Sequence, residues 1–378
     1  MSVVEQRMLP RDFAPMAEAA LDVASAKVRH LVTTQPGAFP IYTTGGRWHV
    51  EEEAWTNWTE GFLGGLIWIF ARRTGEAWWR EEAERYSTLI EPRKDDRTVH
   101  DLGFLFISTW KRWYEATGDP TRWDTVVHAG RTMALRFHEK GRYLRSFVSA
   151  DSCFIDIMMN VGIIFEAARA TGDDDLLRIA TEHCLTTRRH LVRGDGSTAH
   201  EAIFDLETGE FLRHGTHQGW RADSSWARGQ AWALYGFGTA YALSGDARFL
   251  DTAERCADFF LDRTGADVVP PNDWEEPDPP RPHESSAAAI AASGLWQLAD
   301  LTTDPVRAAR YRDATIAILT KLSSPDFLAL DDAAWEGILR HGVYHERLKL
   351  GVDESVMWGD YFYVEALDRV LESQADGS

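Results

Sequence analysis

The chain has 378 residues and a formal net charge of −19, from 40 Lys plus Arg and 59 Asp plus Glu. This acidity argues against nucleic acids and anionic membrane surfaces as partners, because both attract an excess of basic side chains. Apolar residues make up 44% and charged residues 26%, which is typical of a globular protein with a sizeable core and excludes a disordered chain. Sixteen Trp are present, and Trp clusters are typical of clefts where apolar ring faces meet polar ligands such as sugars.

Three cysteines, Cys153, Cys184 and Cys256, are far apart and form no C-x-x-C pair. We expect buried, reduced thiols and neither a disulfide framework nor a zinc site. The first residues show no basic region followed by an apolar one, so no secretion signal is predicted. The longest apolar run, residues 61–71, is too short to cross a bilayer. Together these features predict a cytoplasmic protein.

A helix–turn–helix unit repeats along the chain. In each unit, a short turn with Gly-Asp or a related pair separates two segments of 3.6-residue apolar period. The Gly favours the left-handed conformation that ends a helix, and the acidic residue favours the start of the next one. The turns lie at residues 74–76, 117–119, 171–173, 244–246 and 303–305. Twelve helices are predicted, starting near residues 14, 58, 77, 101, 121, 154, 174, 226, 247, 285, 306 and 358.

Little of the remaining sequence predicts regular structure. β-type patterning is confined mainly to residues 200–212, where residues 205–209 predict a hairpin turn. The proline-rich stretch 270–282 is interpreted as a loop, since helical patterning resumes directly after it. Twelve helices in six hairpins predict an all-α, six-hairpin toroid without a domain boundary. We therefore expect residues 1–378 to form one domain, with its core at about 14–372.

In such a toroid, alternate helices begin at the end opposite the short turns, so the longer connections gather there. These connections lie near residues 34–57, 93–100, 140–153, 192–225, 264–284 and 323–357. Long loops on a packed scaffold are where binding and catalysis concentrate. The unusual polar and aromatic residues in and beside these loops are Trp55, Trp58, His100, Asp101, Asp156, His200, His217, Gln218, Trp220, Trp226, Arg228, Trp232, Trp274, Tyr344, Trp358 and Asp360.

Asp101 and Asp156 are the main candidates for chemistry. Each starts an otherwise apolar helix, in VHDLGFLF and CFIDIMMN, where a carboxylate is costly unless it is paired or hydrogen-bonded. Burial raises the pKa of such a carboxyl and suits it to general acid catalysis, whereas a helix N-terminus lowers it. The alternatives are a helix N-cap for Asp101 and a capping or core-bonded carboxylate for Asp156.

The other candidates also have structural alternatives. His200 is open to interpretation as a satisfied, partly buried histidine, Arg228 as a member of an ion pair, and each Trp as a core residue. His341 and His345 have a metal-like spacing, but no third ligand is apparent and no metal site is predicted. No G-x-G-x-x-G or Walker motif occurs, so no cofactor is predicted.

Seven motifs follow one another along almost the whole chain, from about residue 14 to 372. They are Trp58-Thr-Glu-Gly-Phe62, His100-Asp-Leu-Gly-Phe104, Ile155-Asp156, Gly215-Thr-His-Gln-Gly219, Asp223-Ser-Ser-Trp-Ala-Arg-Gly-Gln-Ala-Trp232, Glu284-Ser-Ser-Ala-Ala-Ala-Ile290 and Trp358-Gly-Asp-Tyr361. In this order they resemble the unsaturated glucuronyl hydrolases, glycoside hydrolase family 88. The block from 215 to 232 is the most specific part of the resemblance.

The resemblance implies an (α/α)6 barrel, which agrees with the hairpins counted above. It also implies a substrate: oligosaccharides left by polysaccharide lyases, which end in a 4,5-unsaturated uronic acid at the non-reducing end. The implied reaction hydrates the C4=C5 vinyl ether. The resulting hemiketal then opens, and the unsaturated sugar is released as a keto acid.

Residue roles are implied by the same resemblance. Asp156 is the expected general acid/base, which protonates C4 and helps water to add at C5, and Asp101 is expected to hold sugar hydroxyls and modulate Asp156. Polar and aromatic contacts with the substrate are expected from Trp58, His100, His200, Gln218, Trp226, Arg228, Trp232, Tyr344 and Trp358.

The chain also departs from the pattern that the resemblance implies. Glu284 stands where Asp is expected, and Phe147 stands where a Trp is expected to stack on the next sugar. Arg221 and Lys349 are candidates for binding a carboxylate or sulfate, with solvated surface charges as the alternative.

Three rival functions remain open from the sequence. The unsaturated rhamnogalacturonyl hydrolases are a sister group with the same barrel and paired aspartates, although the block from 215 to 232 argues against them. An (α/α)6 sugar epimerase is a rival that works with histidine bases. A sugar-binding scaffold without catalysis is the third.

Overall fold

The computed structural model describes residues 9–49, 57–277, 282–330 and 334–375. Within them the predicted order of helices is confirmed. Helices α1 to α3 span Phe13–Thr34, Glu60–Thr74 and Ala77–Leu89. The fourth predicted helix is α4 (Leu102–Phe106), which continues through a π-helical turn at Ile107–Lys111 into α5 (Arg112–Thr117). The fifth is α6 (Pro120–Ala134). The sixth consists of two segments, α7 (Ile157–Asn160) and α8 (Gly162–Thr171). The last six are α9 (Asp174–His190), α10 (Ala227–Ser244), α11 (Ala247–Thr264), α12 (Ser285–Leu301), α13 (Pro305–Leu322) and α14 (Met357–Ala375).

Six inner helical segments form a closed ring. In ring order they are α2, α4 with α5, α7 with α8, α10, α12 and α14, and α14 packs against α2 to close the ring. Five of them also pack against the outer helix that follows in sequence, which is α3, α6, α9, α11 or α13. Helix α1 completes the outer layer beside α13 and α14. This arrangement is an (α/α)6 barrel, as predicted.

The short turns join inner and outer helices at one end of the barrel. Four inner helices end at left-handed glycines with φ between +67° and +72°, namely Gly75, Gly118, Gly172 and Gly245. Four outer helices begin with an aspartate whose carboxyl accepts a backbone N–H of the first turn, namely Asp119, Asp173, Asp246 and Asp304. Both signals were predicted from the Gly-Asp turns, because each works through local geometry.

Inner and outer helices differ in how much of their surface is buried. Inner helices contact an outer helix on one side and other inner helices on the other, so every residue from 285 to 296 in α12 is buried. The outer helix α11 buries one face, which includes Phe249, Ala253 and Phe260. The apolar stripe on outer helices and the small, apolar composition of inner helices follow from this two-layer packing.

Short antiparallel strands occur in the long connections. They are β1 (Thr43–Thr44) with β2 (Arg47–Trp48), β3 (Phe137–His138) with β4 (Tyr143–Leu144), β5 (Ser152–Phe154) with β6 (Glu201–Phe204) and β7 (Phe211–Gly215), and β8 (Gly342–His345) with β9 (Leu350–Glu354). The hairpin β6–β7 was predicted. The other strands were not, because most are too short for an alternating pattern to be visible.

Several smaller predictions are also answered. All three cysteines are buried and their thiols are unpaired. Residues 268–277 contain no helix or strand, as predicted for the proline-rich loop, while residues 278–281 and Trp55 lie outside the described residues. Across the described ranges, no helix combines the length and apolarity needed to cross a bilayer.

Candidate active site

A cleft lies at the end of the barrel where the long connections meet. Its walls are Trp58, His100, Asp101, Phe104, Phe147, Phe154, Asp156, His217, Gln218, Arg228, Trp232 and Tyr344. Eight of the residues predicted for the site are among them: Trp58, His100, Asp101, Asp156, Gln218, Arg228, Trp232 and Tyr344. The remaining three, His200, Trp226 and Trp358, lie directly behind the lining.

Asp101 and Asp156 occupy equivalent places, immediately before α4 and α7. Neither carboxyl caps its helix, so the capping alternative is wrong for both, and both side chains line the cleft. Asn160 connects the two helix starts: its Oδ1 accepts the Phe104 N–H at 2.8 Å and its Nδ2 donates to the Asp156 carbonyl at 3.3 Å. The carboxyls are therefore held on elements tied to each other.

Both carboxyls have raised pKa values. Burial raises the pKa of Asp101 to about 8, and the charge of Asp156 adds to this effect, while Arg93 and Arg136 oppose it. Burial raises the pKa of Asp156 to about 7 against the attraction of Arg228. Since the two groups interact, their titration belongs to the pair. At neutral pH the cleft thus holds at least one carboxylic acid.

Each carboxyl has a histidine beside it. His100 Nε2 lies 3.5 Å from Asp101 Oδ1, and His200 Nε2 lies 3.7 Å from Asp156 Oδ1. Both imidazoles are buried, and burial lowers the pKa of each well below its ordinary value. The histidines are therefore neutral at physiological pH.

Arg228 is a buried cation in the wall of the cleft. Its side chain is 1% exposed. Its guanidinium donates to the Val343 carbonyl and, at 2.9 Å, to the Tyr344 carbonyl, and it lies 3.8 Å from the Glu284 carboxylate. Its Nε has no hydrogen-bond partner within the described residues. Arg228 therefore forms an ion pair, which was the structural alternative for this residue, and also lines the cleft.

Aromatic rings form two walls of the cleft. The Trp58 ring lies 5.7 Å from Phe104 and 6.4 Å from Tyr344, between ring centroids. The Trp232 ring lies 5.1 Å from Phe104 on the other side. Phe104 and Trp232 lie on two inner helices, whereas Trp58 precedes α2 and Tyr344 lies in β8. Only the closed barrel brings these rings together.

Among the described residues, four of the tryptophans singled out from the sequence are not in the wall, and one of them, Trp220, is 41% exposed. Trp226 is buried behind His200, with ring centroids 4.7 Å apart, and its ring also faces the Arg228 guanidinium at 4.5 Å. Trp358 is fully buried and lies 4.9 Å from the same guanidinium. Trp274 is buried in the core. Their positions show why a Trp in a long loop is a weak signal for ligand contact.

Some lining residues were not assigned to the site from the sequence. Phe104 belongs to the motif that contains Asp101, and Phe154 stands two residues before Asp156. Their closeness in sequence to the two aspartates could therefore have predicted that both phenylalanines line the cleft. Phe154 contacts the His217 ring at 5.3 Å. Phe147, noted above as a departure, lies 5.7 Å from His100.

Glu284 anchors the loop side of the cleft and does not line it. Its carboxylate accepts the Ala287 N–H at 2.9 Å and the Val343 N–H at 3.1 Å. It therefore caps α12 and fixes β8 at the same time. The departure from Asp to Glu places a longer capping side chain beneath Arg228.

The remaining candidates are surface or loop groups. Arg221 Nε lies 3.1 Å from Asp223, and Lys349 pairs with Glu346. Both cations are more than half exposed. His341 is hydrogen-bonded to Asp353, and no cluster of His, Cys, Asp and Glu within the described ranges has a geometry that would hold a metal ion.

A second, larger cavity of about 790 Å³ lies towards the short-turn end of the barrel. Charged side chains in its walls are paired, for example Lys111 with Glu166 at 2.6 Å and Arg112 with Glu365 at 3.1 Å. Phe104 lines both this cavity and the cleft. Asp101 and Asp156 lie on the cleft side.

Comparison with known proteins agrees with this geometry. The sequence profile of Glycosyl Hydrolase Family 88 matches residues 38–266. The chain belongs to this family. An unsaturated glucuronyl hydrolase from Bacillus sp. strain GL1 is 35% identical over 344 residues, which are 88% of this chain and 90% of the relative. An unsaturated chondroitin disaccharide hydrolase from Streptococcus agalactiae serotype III is 31% identical, with 83% and 81% covered.

Solved structures of family 88 members share the fold. The crystal structure of the unsaturated glucuronyl hydrolase from Bacillus sp. GL1, described as responsible for glycosaminoglycan degradation, superposes with a TM-score of 0.89 at 33% identity. It covers 94% of this chain and 97% of that one. An unsaturated glucuronyl hydrolase specific for heparin superposes with a TM-score of 0.87 at 28% identity, with 96% and 98% covered.

Proposed function

We propose that this family 88 enzyme is an unsaturated glucuronyl hydrolase, which removes the 4,5-unsaturated uronic acid from the non-reducing end of lyase-generated oligosaccharides. The observation that carries the proposal is the pair of buried carboxyls with raised pKa values, Asp101 and Asp156, in an aromatic-walled cleft. Protonating a vinyl ether requires an acid whose pKa lies near the working pH. The names of two relatives support the substrate class.

In the proposed reaction, Asp156 donates its proton to C4 of the unsaturated sugar. The positive charge that develops at C5 is shared with the ring oxygen, and a water molecule adds there while the Asp156 carboxylate takes its proton. The C5 hemiketal then opens, and the hemiacetal left at C1 collapses to release the next sugar. The atom attacked is C5, so the relation between carboxylate separation and stereochemistry in ordinary glycosidases does not apply.

The other residues of the site are proposed to bind and orient the sugar. Asp101 contacts the sugar hydroxyls and, through its charge, sets the proton affinity of Asp156. Arg228 supplies the positive charge that attracts the uronate carboxylate, so an acidic chain of net charge −19 binds a single anionic sugar through one buried cation. The proposed binding set is Trp58, His100, His200, Gln218, Trp226, Arg228, Trp232, Tyr344 and Trp358, with His200, Trp226 and Trp358 acting from behind the wall.

The test of this function is loss of the ultraviolet absorbance of the conjugated uronate in lyase digests. We expect the wild-type enzyme to abolish it and Asp156→Asn to lower kcat by about 10²- to 10⁴-fold, because the amide cannot donate the acid proton. Asp174→Asn, an exposed aspartate on α9, is the matched control and should leave the rate unchanged. Persistence of the absorbance with every unsaturated disaccharide contradicts the proposal.

The rival functions give different results in the same assay. A rhamnogalacturonyl hydrolase would turn over only unsaturated rhamnogalacturonan disaccharides. An epimerase would leave the absorbance unchanged, and its epimerisation, followed separately, would survive Asp156→Asn and be lost when histidines are removed. A sugar-binding scaffold would bind unsaturated disaccharides saturably without turnover.

A panel of sulfated and unsulfated disaccharides from chondroitin, heparin and gellan would then identify the natural substrate. Relatives named for chondroitin disaccharides and a structure specific for heparin define the range of the panel. We place the enzyme in the cytoplasm, on the strength of its unpaired buried thiols. Cell fractionation with an antibody against the chain tests this location.

A further inference from the structure

The tautomer of His200 is determined by its contacts. Its Nδ1 lies 3.1 Å from the backbone nitrogen of His217, 3.3 Å from that of Gln218 and 3.2 Å from the Thr216 hydroxyl, which can donate to it. A backbone N–H can only donate, so Nδ1 must be the acceptor and carry no proton. Since the ring is neutral, its single proton is on Nε2.

The Nε2–H group faces the proposed catalytic acid. His200 Nε2 and Asp156 Oδ1 lie 3.7 Å apart. Both atoms are buried, and neither has a hydrogen-bond partner in the part of the chain that the structure describes. A fixed donor and an unused acceptor therefore face each other at slightly more than hydrogen-bond distance. Such contacts are often long in ligand-free enzymes and shorten in the substrate complex.

The other half of the site repeats this arrangement. His100 Nδ1 accepts the Phe147 N–H at 3.0 Å, so the proton of this neutral ring is also on Nε2. His100 Nε2 lies 3.5 Å from Asp101 Oδ1. Two neutral histidines with backbone-locked tautomers thus place an Nε2–H group 3.5 Å and 3.7 Å from one oxygen of each carboxyl.

We propose that His200 is a positioning residue which reserves Oδ1 of Asp156 as an acceptor and so places the acid proton on Oδ2, the oxygen that protonates C4. This inference rests on the proposed function. In the step, the Oδ2–H bond breaks and a C4–H bond forms. The carboxylate that results keeps its Oδ1 contact with His200, which is then a stronger, charge-assisted hydrogen bond. His100 fixes the proton of Asp101 in the same way.

The surrounding charges agree with a neutral His200. The cationic and titratable groups near its ring are His217, Arg228, His345 and His100, and each disfavours a second proton on it. Asp156 faces Arg228 and Glu201, and it interacts with Asp101. His200 therefore acts on Asp156 as a hydrogen-bond donor and not as a cation.

The test compares His200→Phe, which keeps a ring but removes the donor, with His200→Gln, which restores an N–H. Because the donor stabilises the carboxylate, its loss raises the pKa of Asp156. We expect the alkaline limb of kcat/KM in His200→Phe to move up by about one pH unit and kcat to fall by about 10- to 100-fold. His200→Gln should return the alkaline limb of kcat/KM to its wild-type position and restore most of kcat.

A matched control is His183→Phe. His183 is also buried, and its Nδ1 accepts the Leu144 N–H at 3.1 Å. Burial lowers its pKa to about 3 with no charged group contributing. We expect His183→Phe to lower stability and leave the limb in place. If His200→Phe raises KM alone, or lowers kcat without moving the limb, the positioning role is overturned.

A second measurement needs no substrate and no substitution of His200. Nitrogen-15 NMR of the wild-type enzyme with labelled histidines distinguishes Nδ1–H from Nε2–H rings. We expect the rings of His200 and His100 to be neutral Nε2–H tautomers. Their signals are identified because they shift when Asp156 or Asp101 is replaced by Asn. A proton on Nδ1 of His200 overturns the inference. Absence of hydrolase activity with Nε2–H tautomers would instead overturn the proposed function.

Discussion

The pKa of an aspartate at a helix start depends on whether water reaches it. Asp119 caps α6 in a partly exposed position, and its hydrogen bonds to Thr121 lower its pKa. Asp101 stands at an equivalent place before α4 but is buried and caps nothing, and burial raises its pKa. Asp360 accepts two backbone N–H groups and still has a pKa of about 7 because it is buried. For the buried aspartates of this barrel, desolvation therefore raises the pKa by more than the helix N-terminus or backbone N–H groups lower it.

This difference gives a stability prediction for Asp101→Asn. The pKa of Asp101 is about 8 in the folded protein and near 3.8 in the unfolded chain. Between these values unfolding releases a proton, so rising pH progressively favours the unfolded state up to about pH 8. Asparagine stays neutral. We expect the Tm of Asp101→Asn, relative to wild type, to increase from pH 5 to pH 9 in thermal melts.

The control for this prediction is Asp119→Asn. Asn caps helices as well as Asp does. Because the pKa of Asp119 is lowered, its ionisation changes the stability of the protein only at acidic pH. The Tm difference between this variant and wild type should be the same at pH 5.5 and pH 8.5. A pH-independent Tm difference for Asp101→Asn would mean that its carboxyl is ionised in the folded protein.

At the scale of elements, close contact between α4 and α7 sets the distance between the two carboxyls. A Cβ on Gly103 would lie 2.5 Å from Cα of Asn160 and 2.7 Å from its carbonyl oxygen. Asn160 in turn links Phe104 to the Asp156 backbone. Gly103 is therefore required for packing, since only a residue without a side chain allows this approach.

We expect Gly103→Ala to lower stability by about 1–3 kcal/mol through overpacking. We also expect it to lower kcat by about 10²-fold, since displacements of about 1 Å in a catalytic site have effects of that size. Chemical denaturation and the absorbance assay measure the two effects. Gly162→Ala is the matched control, because its Cβ would lie 3.5 Å from the nearest atom, and it should be neutral or slightly stabilising. Equal behaviour of the two variants would contradict the packing argument.

At the scale of the whole molecule, the two ends of the chain close the ring. Helix α14 packs against α1 and α2. The carboxylate of Glu354, at the end of β9, accepts hydrogen bonds from Thr43 at 2.6 Å and from the Gly45 N–H at 2.6 Å, in the turn between β1 and β2. The contact between α14 and α2 joins the last and first inner helices and closes the ring. We propose on this basis that residues 1–378 form one domain with a core at about 14–372.

A single closed ring should unfold as one unit. We expect one transition in differential scanning calorimetry, with equal calorimetric and van't Hoff enthalpies. Glu354→Ala should lower its Tm without splitting it, because the substitution weakens ring closure at both chain ends. Two resolved transitions in the wild-type enzyme would contradict the single domain.

The sequence by itself determined the features that depend on neighbours along the chain. Gly118-Asp119 and its counterparts predicted where each hairpin turns, and helical periodicity predicted twelve helices and hence the barrel. The motifs around Asp101 and Asp156 predicted the residues that meet in the cleft. Only the tertiary structure decided that burial raises the pKa of both carboxyls, that Trp226 and Trp274 lie behind the wall or in the core, and that Asn160 joins the two helix starts. Burial, ring orientation and backbone contacts depend on residues far apart in sequence, which local patterns do not encode.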